Sequence, residues 1–494
     1  MTLLAIFERP AIDWHAFAPE VVLLCALLLV LLLDIIFDER ARQIIPTVAG
    51  AGLLGALLPV VTLAVDGQDR FMFDGAFAVD DAALVLKALF LISGYVVVLL
   101  SIDYIRDGDY YENEYYTLLM SSLLGMLMIA SSRDLVSMFV ALELLSIPAY
   151  MLAAWRKGGP TSNEAGIKYY LMGVFASAVM LYGMSLLYGV AGSTRFVDIG
   201  VAVSGSDASP FVVLAILFVV VGFAFKVSAV PFHSWAPDTY EGAPTPITAF
   251  LAVASKAAGF VALLQLVFVA FAGRSDVIEP LFWILAALTM TVGNLIALRQ
   301  ENIVRMLAYS GVAQGGFMLV PFAVSGDAGD TAITAIVTYL IIYAFMNLGA
   351  FGVVMAVARK TRSGQISSYG GLFSYAPGLA VAMTVFLASL AGIPPLGGWF
   401  AKFVVIQSLF DAASVSSAIL GVIFAVNTVI AFGYYARVLR EMWFSPVPDG
   451  DSTPIKVPAA IATALVLTAV ATVVSGVLPQ LVGRFGDIST SLAL

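Results

Sequence analysis

Cysteine and histidine are almost missing from this chain: one Cys and two His in 494 residues. Charge is scarce too, with Asp, Glu, Lys and Arg together making up 12%. The single thiol, Cys25, excludes internal disulfides and a cysteine-ligated iron–sulfur or zinc site. It lies in an apolar run and reads as a small hydrophobe. Two histidines are too few for haem or a His-based metal cluster. No Gly-rich phosphate loop and no nucleophile elbow occurs. A net charge of −9 argues against nucleic acid as a partner. No basic region with a short apolar run and a cleavage site stands at the start, so the first apolar stretch is expected to be a retained helix.

What is abundant is hydrocarbon. Apolar residues make up 61% and the mean hydropathy is +0.99, values that exclude an ordinary soluble protein. The expected fold is all-α, with long apolar runs crossing a lipid bilayer. The runs fall near 18–37, 44–65, 82–102, 115–131, 134–153, 163–190, 211–230, 245–271, 280–298, 302–323, 331–358, 377–410, 414–440 and 457–479. That makes about fourteen spans, with no room for a separate soluble domain. The organisation expected is 1–110 (three leading helices), 111–271, 280–441, and 442–494 (a loop and the last helix).

Basic residues set the orientation. Thirteen fall in the loops of one side: Arg40, Arg42, Arg106, Arg156, Lys157, Arg299, Arg305, Arg359, Lys360, Arg362, Arg437, Arg440 and Lys456. Six fall on the other: Arg9, Arg70, Arg133, Arg195, Arg274 and Arg484. This bias predicts a multi-pass protein of a bacterial cytoplasmic (inner) membrane, both termini periplasmic. The remaining five basic residues, all lysines, fall within spans.

Two spans are expected to be interrupted. One runs Lys226-Val-Ser-Ala-Val-Pro231-Phe-His233, the other Gly392-Ile-Pro394-Pro395-Leu-Gly397-Gly398-Trp-Phe-Ala-Lys402. Proline removes a backbone donor and clashes with the preceding turn. Broken helices at membrane depth occur where they line a cavity, often in inverted repeats. Lys226 precedes its proline and Lys402 follows its own, which suits two five-helix repeats of opposite orientation, spans 4–8 and 9–13.

Within these spans stand Glu143, Lys168, Lys226, Lys256 and Lys402, with Lys87 further off. A charged residue at a bilayer centre costs about 2.5–3.5 kcal/mol on insertion scales, and such residues mark ion or proton paths. Glu143 reads as counter-ion to Lys226. His233 could relay protons near neutral pH. The plainer readings are a structural carboxylate for Glu143, a silently paired Lys256, a Lys402 that caps a broken helix, and a Lys168 that snorkels to the surface.

The stretch Pro231-Phe-His-Ser-Trp-Ala-Pro-Asp238-Thr-Tyr240-Glu-Gly-Ala-Pro-Thr-Pro, continuing to Ser255-Lys256-Ala-Ala-Gly-Phe260, resembles the antiporter-like membrane subunits of respiratory complex I, the N type of NADH:quinone oxidoreductase subunit. Lys168-Tyr-Tyr-Leu-Met-Gly, Met180-Leu-Tyr-Gly-Met-Ser-Leu-Leu-Tyr-Gly189, Met306-Leu-Ala-Tyr-Ser-Gly-Val-Ala-Gln-Gly-Gly316 and Gly392 to Phe403 agree. The resemblance spans roughly 110–445. It implies a proton-translocating subunit with Glu143 paired to Lys226, Lys168 beside that pair, Lys256 as central relay and Lys402 toward the exit. His233 lies between the two lysine-bearing spans. It also implies no cofactor in this chain, with flavin, iron–sulfur clusters, the NADH site and quinone chemistry in partner subunits. The partners implied are other membrane and peripheral subunits, the lipid bilayer and protons. The alternatives are a subunit of a multisubunit cation/proton antiporter, a membrane-bound hydrogenase subunit, and an inert scaffold. Tyr240, where antiporter-type relatives tend to carry histidine, favours the N type.

Overall fold

The computed structural model describes residues 11–37, 44–108, 114–205 and 209–490. Arg9, Arg40 and Arg42 of the orientation argument lie outside the described residues. The chain is a bundle of long helices, with one short hairpin, β1 (Arg70–Met72) and β2 (Phe77–Val79), pairing antiparallel.

Ahead of the hairpin run α1 (Ala18–Phe37) and α2 (Ile45–Asp66). Then come α3 (Asp81–Arg106), α4 (Glu114–Ser131), α5 (Leu135–Ala153), α6 (Pro160–Ala191) and the short α7 (Phe196–Ser204). They are followed by α8 (Pro210–Lys226), α9 (Trp235–Gly242) and α10 (Thr245–Ala270). The second half holds α11 (Ser275–Ala297), α12 (Ile303–Leu319), α13 (Gly329–Thr361), α14 (Pro377–Ala391) and α15 (Gly397–Ala412). α16 (Val415–Phe444), α17 (Ala459–Val477) and α18 (Pro479–Ile488) close the chain. Among the described residues, eleven helices are long and apolar enough to cross a membrane. α8 and α14 are apolar but shorter.

α10 is the axis of the bundle: its apolar window is wholly buried. The N-terminal and peripheral helices α1, α6 and α16 instead leave large apolar side chains uncovered, among them Ile35, Phe175 and Val429. A soluble protein rarely exposes such faces; here they suit lipid or apolar neighbours.

Both expected interruptions occur. α8 stops at Lys226 and the chain resumes as α9 at Trp235. α14 stops at Gly392, whose φ of +90° suits a residue without Cβ. The following Pro394-Pro395 cannot continue a helix. α15 then returns so close that a Cβ on Gly398 would stand 1.7 Å from the Ser389 carbonyl oxygen.

Ion pairs join the loops at each end. Arg70 binds Asp13 and Asp66, Arg133 binds Asp80, and Arg195 reaches Asp74 of the hairpin. At the other end, Arg359 binds Asp107 and Arg437 donates to the Gln300 carbonyl. The Arg359 guanidinium holds the Asp107 carboxyl below the usual carboxylate range.

Replacing Gly398 by Ala is expected to pry α14 from α15 and cost about 1–3 kcal/mol or more, because a backbone oxygen cannot yield as a side chain can. Gly378→Ala, with nothing within 4 Å of its Cβ, is the control. Thermal unfolding followed by fluorescence-detected size exclusion should show a lower midpoint for the first only.

Candidate functional site: a line of buried lysines

α8 carries Lys226 at its last position, 4% exposed. Its Nζ donates to Ser146 Oγ at 2.9 Å and stands 3.4 Å from Tyr169 OH. The ammonium also lies 5.8 Å from the Tyr169 ring centroid, within cation–π range. Tyr169 in turn stacks on Trp235 at 4.5 Å. The indole nitrogen of Trp235 donates to the Phe225 carbonyl in the last turn of α8, which also accepts from Ser228 N–H.

Glu143 does not meet Lys226 directly. It is half-buried on α5, and its Oε1 accepts from Ser177 Oγ of α6 at 2.7 Å. Among the described residues no ion pair joins the two groups. Ser146 sits one helical turn beyond Glu143 and takes the place on Lys226 that the carboxylate was expected to fill. A hydroxyl both accepts and donates, so Ser146 can pass a proton where a carbonyl could not.

Lys168 is displaced from its expected place in the same sense. Its side chain is 42% exposed and bonds Glu164 and Asp238, each at 2.7 Å. Asp238 also accepts from Arg305 at 3.0 Å, and Arg305 bonds Glu241 at 2.8 Å. This network ties α6, α9 and α12 together at one end of the bundle. The neighbour of Lys226 is Tyr169, the next residue along.

Lys256, 1% exposed, follows a widened π-turn at Leu251–Ser255, a local irregularity often found at functional positions. Its Nζ donates to the Gly311 carbonyl at 2.7 Å. One turn on, Gly259 lets the Lys226 stem pack directly against α10: a Cβ there would lie 3.1 Å from Lys226 Cγ. The two lysines therefore stand on facing helices about one turn apart. His233 lies in the break between them along the chain, half-buried, edge-on to Tyr309 with ring centroids 6.4 Å apart. Its Nδ1 is buried without a hydrogen-bond partner among the described residues.

Lys402, 5% exposed, donates to the Ala391 carbonyl at 3.0 Å, with its ammonium 4.8 Å from the Phe317 ring centroid. That bond is the capping contact the sequence allowed for, since Ala391 ends α14. Between Lys256 and Lys402 runs a polar chain with no part in the sequence expectations. Ser310 Oγ and Tyr435 OH are 2.5 Å apart. Gln314 donates to Tyr435 OH and to the Leu390 carbonyl, and accepts from Tyr339 OH. Ser310 and Gln314 are four apart on one face of α12, a polar pair in an apolar run, and that spacing could have marked them. Among the described residues no three His, Cys, Asp or Glu converge as metal ligands.

Residues 132–430 match the family described as NADH:quinone oxidoreductase/Mrp antiporter, transmembrane. The NADH-quinone oxidoreductase subunit N of Trichlorobacter lovleyi is 38% identical over 484 residues, covering 97% of this chain and 98% of that one. A chain of respiratory complex I from Thermus thermophilus superposes with a TM-score of 0.78 at 31% identity, covering 94% of this chain and 98% of that one. A chain of the Mrp complex from Dietzia superposes with a TM-score of 0.85 at 21% identity over 97% of both, a likeness of fold alone. By sequence over almost its whole length, this chain belongs to the NADH:quinone oxidoreductase/Mrp antiporter family of membrane subunits.

Proposed function

We propose that this chain is a proton-translocating membrane subunit of an NADH:quinone oxidoreductase, of the subunit N kind. The observation that carries the reading is the series Lys226, Lys256 and Lys402, each at most 5% exposed and each bonded to a neutral oxygen rather than a carboxylate. Near-full-length similarity to subunit N relatives, at 38–39% identity, supports it over the antiporter reading; the matching family covers both kinds, and the Mrp chain shares the fold at 21% identity. Redox chemistry belongs to partner subunits, which bring the flavin, iron–sulfur clusters and quinone site. This chain contributes proton movement coupled to them through contact.

Fourteen crossings follow if α4 and the two interrupted helices are added to the eleven long apolar ones. The reading divides the chain into 1–110, 111–271, 280–441 and 442–494, with helices 4–8 and 9–13 as inverted repeats. Both termini face the periplasm of a bacterial inner membrane. Within the path, Ser146 bonds Lys226 while Glu143, one turn away on α5, is held by Ser177; Lys256 is the central group, and Lys402 stands toward the exit. His233 sits beside the first break, and Lys168 holds the charged mouth formed with Asp238 and Arg305.

Moving a proton against 150–200 mV takes about 3.5–4.6 kcal/mol. A hydrogen bond to a charged group contributes about 1.5–3 kcal/mol. Changing the partners of one or two lysines is therefore on the scale a pump step needs.

The direct test is the identity of the chains that co-purify. Flavin and iron–sulfur subunits are the expected outcome; a set of membrane antiporter chains without them would overturn the reading.

Lys226→Ala and Glu143→Ala are expected to slow proton pumping and coupled NADH:quinone turnover while the complex still assembles. Parental pumping by both in sealed vesicles would leave these groups structural.

Lys402→Arg separates two roles. Arginine can cap the Ala391 carbonyl, but it does not release its proton in proteins. Assembly should survive and pumping fall severalfold in reconstituted vesicles; full pumping would reduce Lys402 to a cap.

A cysteine placed at 359–362 should resist an impermeant thiol reagent in intact spheroplasts and react in inverted vesicles. The opposite pattern would reverse the orientation.

A further inference from the structure

The leading helices hold an ion pair that the lysine series does not use. Glu20, in the first turn of α1, meets Lys87 of α3 at 2.7 Å, with side chains 2% and 0% exposed. Apart from this contact, neither Glu20 oxygen and no Lys87 proton has a hydrogen-bond partner among the described residues. The rest of the buried stripe of α1 is apolar: Pro19, Leu23, Leu27 and Val30. Burying two charges with so few supporting bonds is expensive, and apolar residues of similar volume fill such places equally well or better. The packing of α1, which lies against α2 and α4, therefore does not itself call for charge.

The pair lies on a descending series of charged groups at the hairpin end. Asp69 is exposed, Asp81 half-buried, and Asp80 buried against Arg133. Asp80 is the N-cap of α3 and stands seven residues before Lys87, which is two turns, roughly 10.5 Å, along the same helix face. Desolvation and the neighbouring Asp80 and Asp81 hold the Asp69 carboxyl above the usual carboxylate range. Phe77 of the hairpin covers the pair, its ring centroid 5.0 Å from Lys87 Nζ, and Phe17 packs edge-on against Phe77 at 5.4 Å. On its other side α3 packs against the first part of α10, including the π-turn that precedes Lys256.

We propose that Glu20 and Lys87 form a proton-holding site, separate from the lysine series and lying under the hairpin at one end of the bundle. The inference rests on the translocation reading above. The chemistry is proton transfer alone. The ion pair takes up one proton on a Glu20 carboxylate oxygen, leaving a neutral acid beside the Lys87 ammonium. Release of that proton restores the pair. No bond to carbon changes and no electron moves. The state with the extra proton carries a net buried positive charge, so its occupancy answers to charge arriving on neighbouring helices, α10 among them.

A clamp and a proton-holding site respond differently to substitution. E20Q/K87M leaves no lone buried charge, and a clamp should tolerate it. The whole complex carrying E20Q/K87M or E20L/K87M, reconstituted in vesicles, should assemble and oxidise NADH, while protons moved per NADH fall at least twofold. Infrared difference spectra on acidifying the hairpin side should show a protonated-carboxyl band that E20Q removes. Parental pumping per NADH in either variant, or a band unchanged in E20Q, would overturn the site. If E20Q/K87M does not assemble, E20L/K87M decides, because an apolar pair removes the titrating carboxyl and leaves no unpaired buried charge. Lys226→Ala, measured alongside, separates the two readings: its parental pumping would overturn the translocation reading, whereas its loss beside parental pumping by the Glu20 and Lys87 variants would overturn this site alone.

Discussion

A helix that ends inside hydrocarbon leaves carbonyls with no water to bind, and each one left open costs several kcal/mol. Two helices here end in that way, and the surrounding residues follow from the need to cover them. At the end of α14, Gln314 reaches the Leu390 carbonyl and Lys402 reaches that of Ala391. At the end of α8, Trp235 reaches the Phe225 carbonyl from the next helix. The interruption thus fixes where α9 and α15 must lie. It also gives a buried ammonium a neutral acceptor that a continuous helix would have kept for itself.

Neutral acceptors matter because of what they leave undone. A carboxylate beside a buried lysine favours the charged form strongly and resists release of the proton. A carbonyl or hydroxyl satisfies one N–H and gives far less Coulombic hold. Lys226, Lys256 and Lys402 all have partners of the weaker kind, whereas Lys87 has the stronger. The same residue type is thus held in two ways in one bundle, and the difference is written in the acceptor.

Hydropathy was enough to place the leading helices, whereas the run 377–410 is two helices, α14 and α15. The first apolar run, 18–37, coincides with α1, and the second differs from α2 by one residue at each end. The prolines located both breaks, although α8 stops at Lys226 where the apolar run continues to 230. Side-chain partners were another matter. Neighbours along a helix point about 100° apart. Lys168 therefore turns to Asp238 while Tyr169 turns to Lys226. The same geometry puts Ser146 rather than Glu143 on that lysine, since a turn of helix separates them and Ser177 holds the carboxylate back. Charge in a membrane span draws attention in a sequence. A hydroxyl or an amide draws less, so the four-residue spacing of Ser310 and Gln314 is a weak signal, and Tyr435 joins them only through the packing of the helices.

The likeness to the Mrp chain bears on where the function resides. A TM-score of 0.85 at 21% identity means that nearly the same backbone is reached by a largely different sequence. The overall fold is then common property, and it cannot tell an electron-coupled pump from an ion exchanger. What can differ is which oxygens face the ammonium groups, which charges guard the mouth, and which surfaces meet neighbours. The Asp238 cluster with Lys168 and Arg305 is of this kind: it spans α6, α9 and α12, so a shift in any one of them must rearrange the other two. That surface lies close to the broken helix, because α9 begins with the Trp235 that bonds the Phe225 carbonyl of α8 and stacks on the Tyr169 beside Lys226.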